Sequence, residues 1–264
     1  MSAMPTVVVT GAAAGIGRGI VLRAAARGQH IALLDIDERA LADTAAAALA
    51  AGAPSALPLR CDVSVESEVD AAFATAAERL PAITGVVANA GIEVSEPLAS
   101  ASVASWDRVM AVNLRGTFLT ARAALHRWRA DGTGGSLVCV SSPSAFVGFA
   151  GGANTAYGAS KGGISAFVRA AALDAAPDGV RVNAVVPGAT DTDILYFGLE
   201  GEALAARRTE LGEAARQQIP LGRMARPEEI ADAVLWLLGP ESAYVTGSHL
   251  VCDGGLLAKS ANTF

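Results

Sequence analysis

Tyr157-Gly158-Ala159-Ser160-Lys161 sets a phenol and an ammonium four positions apart. On a helix the two side chains stand one above the other on a single face. Tyrosine titrates near pH ~10 and is a poor general base at neutral pH. A lysine ammonium about 4 Å away favours the phenolate by roughly 4 kcal/mol at an effective dielectric of ~20. That is enough to lower the tyrosine pKa by up to ~3 units, so the pair could move a proton at working pH. Spacing alone does not say what that proton serves, and the elements that must position the pair carry more information.

The run Thr6–Thr10 is β-branched and continuous, like a strand buried on both faces. Thr10-Gly11-Ala12-Ala13-Ala14-Gly15-Ile16-Gly17 joins it to a helix over Ile16–Arg27. Gly11 permits a tight turn, and Gly15 and Gly17 let a pyrophosphate and the sheet come close to the backbone. The helix start offers free N–H groups and a positive dipole end to phosphate. Asp35 ends the next strand, 24 residues after Gly11. A carboxylate there accepts hydrogen bonds from ribose hydroxyls and repels a 2′-phosphate. Neither Ile36 after it nor Ala14 before Gly15 supplies an arginine for such a phosphate. NAD is therefore expected over NADP.

The alternation continues with strands at His30–Asp35, Ala56–Cys61, Gly85–Asn89, Ser136–Ser141, Val180–Val186 and His249–Cys252. Helices are expected at Arg39–Ala51, Glu66–Leu80, Trp106–Ala130, Thr155–Ala176 and Pro227–Leu238, with a looser helical stretch over Leu195–Gln218. Alternating units of this length imply an α/β fold: a doubly wound, mostly parallel Rossmann-type sheet of about seven strands, with helices on both faces. No linker, repeat or composition break divides residues 1–264, so a single domain is expected.

Composition narrows the function. The chain is 52% hydrophobic and 17% charged, with a net charge of −6 and no Lys/Arg-rich block, which argues against nucleic acid as a partner. Cys61, Cys139 and Cys252 are far apart and read as buried thiols of a reducing compartment. His30, His126 and His249 have no ligand spacing, so no metal is expected. No apolar run reaches the ~20 residues of a spanning helix. Met1–Thr6 lacks the basic region of a signal peptide, and the cytoplasm is the expected location.

Taken together and in order, these motifs resemble the short-chain dehydrogenase/reductase family in its compact single-domain branch, from Thr6 to about Gly255. They are the glycine loop, Asp62-Val63, Asn89-Ala90-Gly91, Asn113 in Val112-Asn113-Leu114, Ser141-Ser142, Tyr157 with Lys161, and Pro187-Gly188. The resemblance implies that Asp62 bonds the adenine amino group with the Val63 backbone beside it. Asn89, Ala90 and Gly91 would line the adenine-ribose side, and Pro187-Gly188 would turn the chain beneath the nicotinamide. Thr190 and Thr192 would lie near the carboxamide, Thr192 matching better by spacing.

For chemistry, the resemblance makes Tyr157 the general acid/base and has Lys161 lower its pKa and hold the nicotinamide ribose. Ser142 would bond the same substrate oxygen, and Asn113 would hold a water linking Lys161 to solvent. Fifteen positions separate Ser142 from Tyr157, slightly more than the family spacing, and Ser141 and Ser144 compete for the serine role. The implied reaction interconverts a secondary alcohol (polyol, sugar-derived or ring-bearing) and its ketone.

Candidate substrate contacts are Glu93 and Glu96 in Ile92–Leu98, and Phe146, Phe149 and Asn154 in the glycine-rich Ser144–Asn154 loop. A possible lid spans about residues 193–218 and begins Leu195-Tyr196-Phe197-Gly198. Arg115 and Arg223 are the arginines a sugar-acid substrate could use. Helices apolar over more than one stripe suggest packing against another subunit, and the family implies a homotetramer. Leu256–Phe264 would either reach a neighbouring subunit or fray. Two other classes stay in view: a nucleotide-sugar epimerase or dehydratase, which needs a larger C-terminal domain, and a catalytically silent NAD-binding regulator.

Overall fold

Buried β-branched runs become strands, and each is followed by a helix that covers one face of the sheet. The computed structural model describes residues 5–149, 151–196 and 198–259. Met1–Met4, Ala150 of the glycine-rich loop, Phe197 of the expected lid and residues 260–264 of the tail lie outside the described residues.

In chain order, β1 (Thr6–Thr10), α1 (Gly15–Ala26), β2 (His30–Asp35), α2 (Glu38–Ala50), β3 (Ala56–Arg60) and α3 (Glu66–Arg79) form the first half. Then come β4 (Ile83–Ala88), α4 (Val103–Val109), α5 (Gly116–Asp131), β5 (Gly135–Val140), α6 (Thr155–Ala175) and β6 (Val180–Pro187). The chain ends with α7 (Gly201–Gln218), α8 (Pro227–Leu238) and β7 (His249–Cys252).

The seven strands run parallel in the order β3-β2-β1-β4-β5-β6-β7. The winding direction reverses between β1 and β4, and this opens a crevice at the carboxyl ends of those strands. One face of the sheet packs on Phe73 of α3, Trp128 of α5 and Ile164 of α6. The other packs on Ile20 of α1, Leu41 of α2 and Leu235 of α8. Trp128 is fully buried, and its indole N–H donates to the Ile83 carbonyl at 2.8 Å. Arg181 of β6 caps the end of α8, donating to the carbonyls of Leu237 (2.8 Å) and Gly239 (3.1 Å).

Two expectations change in detail. The helix expected from Trp106 begins at Val103, where Ser102 Oγ accepts from the Ser105 amide. Its middle, Met110–Arg115, is π-helical between α4 and α5. The stretch expected to be helical from Leu195 splits into a short 3₁₀ turn, Asp193–Tyr196, and α7. Gly198 stands at positive φ between them and Gly201 at positive φ where α7 begins, which breaks the helix at that point. Ala215 is the sole buried residue among the described residues of α7, so this helix packs loosely on the rest.

Candidate active site

The glycine loop is built around backbone proximity. Gly11 and Gly15 have φ of +64° and +53°. A Cβ on Gly11 would lie 2.8 Å from Asn89 Nδ2, and one on Gly17 would collide with the Gly11 carbonyl oxygen. Ile16 is half-buried against the core beneath the helix start. Asn89 Nδ2 donates to the carbonyls of Thr10 (2.9 Å) and Gly11 (3.1 Å). Thr10 Oγ1 accepts from the amides of Asn89 (3.0 Å) and Ala90 (3.1 Å). The Asn89 carboxamide is thus spent on fastening β4 to the loop. Ala14, at the head of α1, makes no side-chain cap, which leaves the first-turn N–H groups open to the crevice. This cradle fits a pyrophosphate.

Asp35 is half-buried at the tip of β2. Its Oδ2 accepts from the Ala13 amide (3.0 Å) and its Oδ1 from the Asp37 amide (3.1 Å), leaving further lone pairs on both oxygens. Ile36 beside it is 62% exposed, an apolar surface at the edge of the crevice. Asp62 Oδ1 accepts from the amide and hydroxyl of Ser64 (2.9 and 2.7 Å). Val63 is buried against Gly116, where a Cβ would come within 2.8 Å of its Cγ2. Arg115 donates to the Ser64 carbonyl (2.8 Å), on this side of the site.

The catalytic candidates converge across the crevice. Lys161 is buried, and its Nζ donates to the Val140 carbonyl (2.8 Å) and stands 5.5 Å from the centre of the Tyr157 ring. Asn113 is fully buried in the π-helical stretch. Its Oδ1 accepts from the Ile92 amide (2.8 Å), and its Nδ2 donates to the Ile92 carbonyl (2.9 Å) and Ser160 Oγ (3.0 Å). Both amide hydrogens are therefore used within the protein, and the Asn113 side chain clamps the segment after β4. A Cβ on Gly91 would lie 3.4 Å from Asn113 Oδ1 and 3.5 Å from Lys161 Nζ.

The three serines separate by what they touch. Ser141 Oγ is 3.0 Å from Ser165 Oγ and donates to the Lys161 carbonyl at 3.3 Å, so it faces α6. Ser144 Oγ is buried without a partner among the described residues. Ser142 Oγ accepts from the Ser144 amide (3.2 Å), and Ser142 stands near enough to Tyr157 to lower its pKa.

Electrostatics here depart from the sequence expectation. Burial raises the Tyr157 pKa, a hydrogen bond to Ser142 lowers it and the Glu93 carboxylate raises it. Burial also brings Lys161 down to about 8. The tyrosine pKa rises where its spacing to the lysine suggested a fall, because both groups have lost their water and each charged form is disfavoured.

At the far end, Pro187 closes β6, and Gly188 donates to the Cys252 carbonyl (2.9 Å). A Cβ on Gly188 would come within 2.6 Å of Asp253 Cα. Thr190 spends its hydroxyl on the Gly188 carbonyl (3.0 Å). Thr192 carries no such bond among the described residues, and its Cγ2 would be 3.4 Å from a Cβ on Gly15. Arg223 is paired with Glu229 Oε2 and Oε1 (2.7 and 2.8 Å) and lines a separate cavity of about 140 Å³.

The loops flanking Tyr157 are joined, with Glu96 donating its amide to the Ala153 carbonyl at 2.8 Å. Glu96 itself accepts from the Ser102 amide and Ser105 hydroxyl (3.0 and 2.9 Å). Sequence reasoning assigned no role to Ile92, Ser160 or the Val140 carbonyl. Ser160 sits inside the Tyr157–Lys161 run, but its bond to Asn113 spans 47 positions and leaves no local signal.

A family model described as enoyl-(acyl carrier protein) reductase matches residues 11–257. The chain is 38% identical to 2-(S)-hydroxypropyl-CoM dehydrogenase 3 of Xanthobacter autotrophicus, over 96% of this chain and 96% of that protein. It is 40% identical to cis-4-hydroxycyclohexanecarboxylate dehydrogenase of Sinomonas cyclohexanicum, over 95% and 96% respectively. Among solved structures, a short-chain type dehydrogenase/reductase from Mycobacterium marinum superposes with a TM-score of 0.87 at 31% identity, covering 97% of this chain and 96% of that one.

Proposed function

The chain belongs to the short-chain dehydrogenase/reductase family, and we propose that it is an NAD(H)-linked oxidoreductase interconverting a secondary alcohol and its ketone, with Tyr157 as general acid/base. Relatives named for hydroxypropyl-CoM and hydroxycyclohexanecarboxylate support the alcohol/ketone class. The observation that carries the mechanism is the convergence of Ser142, Tyr157 and Lys161 on one side of the crevice, opposite the uncapped head of α1.

In this reading the pyrophosphate rests on Gly11, Gly15, Ile16 and Gly17. Asp35 and Ile36 meet the adenosine ribose, and Asp62 and Val63 meet the adenine. Asn89, Ala90 and Gly91 form the wall between the two halves, while Pro187, Gly188, Thr190 and Thr192 frame the nicotinamide end. When bound, that ring supplies the acceptor or donor of hydride. As a carbinol carbon is oxidised its oxygen must shed a proton, and Tyr157 takes it while Ser142 holds the oxygen. Lys161 steadies the resulting charge balance and contacts the nicotinamide ribose. Asn113 keeps Gly91 and Ile92 against Lys161. In reduction Tyr157 returns the proton.

A single domain, a lid over about residues 193–218, a cytoplasmic setting and a homotetramer complete the proposal. The described helices include none long and apolar enough to cross a membrane. The test is initial rates with NAD and with NADP across secondary alcohols, polyols and hydroxy acids. NAD should be preferred by at least about 10-fold, the effect of one carboxylate facing a 2′-phosphate. Better turnover with NADP would sink the role given to Asp35. NAD binding without turnover of any alcohol would favour a silent cofactor-binding regulator.

A further inference from the structure

Between Tyr157 and Lys161 lies a buried hydroxyl that ties their helix to the wall of the crevice. Ser160 is fully buried. Its Oγ accepts from Asn113 Nδ2 at 3.0 Å and donates to the Tyr157 carbonyl at 2.7 Å. In an α-helix that carbonyl also faces the Lys161 amide, four positions on. The hydroxyl therefore grips the one backbone turn that carries both side chains. From Asn113 the chain of bonds runs on to Ile92, whose amide and carbonyl meet the same carboxamide at 2.8 and 2.9 Å.

Asn113 is buried as completely as Ser160, and its two amide hydrogens are spent on the Ile92 carbonyl and Ser160 Oγ. Removing the hydroxyl leaves one of them unpaired in the interior, which the carboxamide relieves only by turning away from Ile92. The surroundings have little slack. A Cβ on Gly91 would lie 3.4 Å from Asn113 Oδ1 and 3.5 Å from Lys161 Nζ, and one on Gly163 of α6 would lie 2.8 Å from Leu114 Cδ2. Lys161 Nζ is anchored separately, on the Val140 carbonyl of β5 at 2.8 Å. The ammonium and the Tyr157 backbone are thus held by different elements, and Ser160 sets the offset between them.

Resting on the alcohol/ketone reading of this site, we propose that Ser160 is a positioning residue. By joining the Tyr157 carbonyl to Asn113, it holds the Tyr157 phenol in register with Lys161 Nζ and with the Gly91–Ile92 wall. It acts through those groups and touches neither substrate nor cofactor. Misplacing a reacting group by about 1 Å costs roughly 10²-fold in rate, so the hydroxyl serves the chemical step and not binding.

The experiment measures kcat, KM and the NAD dissociation constant in wild type, Ser160→Ala, Ser160→Cys and Ser160→Thr, with the secondary alcohol, polyol or hydroxy acid that wild type oxidises fastest with NAD. Amide hydrogen exchange at Ile92 is followed in the same proteins without added ligand. Ser160→Ala and Ser160→Cys should each lose about 10-fold or more in kcat, with KM and the NAD dissociation constant within about 3-fold of wild type. Cysteine keeps the volume but offers only a weak donor and acceptor. Threonine keeps a hydroxyl that reaches a carbonyl one turn back, so Ser160→Thr should stay within about 3-fold of the wild-type kcat. Exchange at Ile92 should quicken by about 10-fold or more in Ser160→Ala and Ser160→Cys, while the amides of β2 keep their wild-type rates. A kcat near wild type in Ser160→Cys, a loss that falls on KM alone, or unchanged exchange at Ile92 overturns the role of Ser160 and leaves the alcohol/ketone reading standing. If the added methyl group keeps Ser160→Thr from folding, the alanine and cysteine variants and the exchange rates decide. No turnover of any alcohol by wild type removes the alcohol/ketone reading, and the role of Ser160 with it.

Discussion

Lys161 has lost nearly all contact with solvent, and the hydrogen bond that its ammonium donates to the Val140 carbonyl does not restore its hydration. Its pKa falls from 10.5 to about 8. Between those values the unfolded chain holds a proton that the fold releases, so stability rises with pH across that window. Below about pH 8 both states are protonated, and the fold carries the full cost of a buried charge. Relative to Lys161→Met, wild type should gain about 2–3 kcal/mol between those two pKa values, measured by urea unfolding. A difference that does not change with pH would contradict the burial account. The same loss of water explains why the Tyr157–Lys161 spacing misled on the sign of the tyrosine shift. Spacing reports proximity, whereas the shifts depend on burial against the sheet and on the Glu93 carboxylate, neither of which is legible in the Tyr157–Lys161 run.

Local sequence carried the elements that local physics decides. The bounds of β1 and α8 are those read from the residues, because a β-branched run and a proline start are self-sufficient signals, and the short apolar runs of β2 and β7 keep their bounds as well. The π-helical stretch around Asn113 was not legible, since apolar periodicity records which face is buried and not the hydrogen-bond register. Its purpose is visible only in three dimensions, where Asn113 meets Ile92 and Ser160.

The glycine loop was legible in type, but the contact that demands each glycine was not. Gly17→Ala puts a methyl group into the Gly11 carbonyl, so the loop must open. Stability should drop by about 1–3 kcal/mol, and NAD affinity should fall by at least about 10-fold, one lost phosphate contact. Gly148→Ala points into open space and should stay within about 0.5 kcal/mol of wild type. Equal effects of the two changes, in thermal unfolding and NAD titration, would contradict this description of the loop.

At the scale of the molecule, large apolar side chains remain exposed on two separate sets of elements. Trp106 and Phe118 are 39% and 45% exposed on α4 and α5. Trp236 of α8, Val251 of β7 and Tyr244 between them are 40%, 44% and 104% exposed. The proposed homotetramer would bury both faces, since two two-fold interfaces on one chain close a tetramer with perpendicular axes. Sedimentation should therefore find a species of four times 26.6 kDa. Phe118→Glu should leave a dimer held by the remaining face, and a wild-type monomer at micromolar concentration would contradict the assignment.

The winding reversal between β1 and β4 brings the glycine loop, the Asn113 clamp and the Tyr157 helix to one crevice from positions more than a hundred residues apart. The central claim is that the proton crossing this crevice passes through Tyr157. It is tested most directly by the steady-state rate of NADH formation from an accepted secondary alcohol, in wild type and in Tyr157→Phe, with NAD affinity measured in parallel. The account predicts a fall in kcat of about 10²–10⁴-fold with the NAD dissociation constant changed by less than about 3-fold, under 1 kcal/mol. A Tyr157→Phe protein that keeps full activity would contradict it.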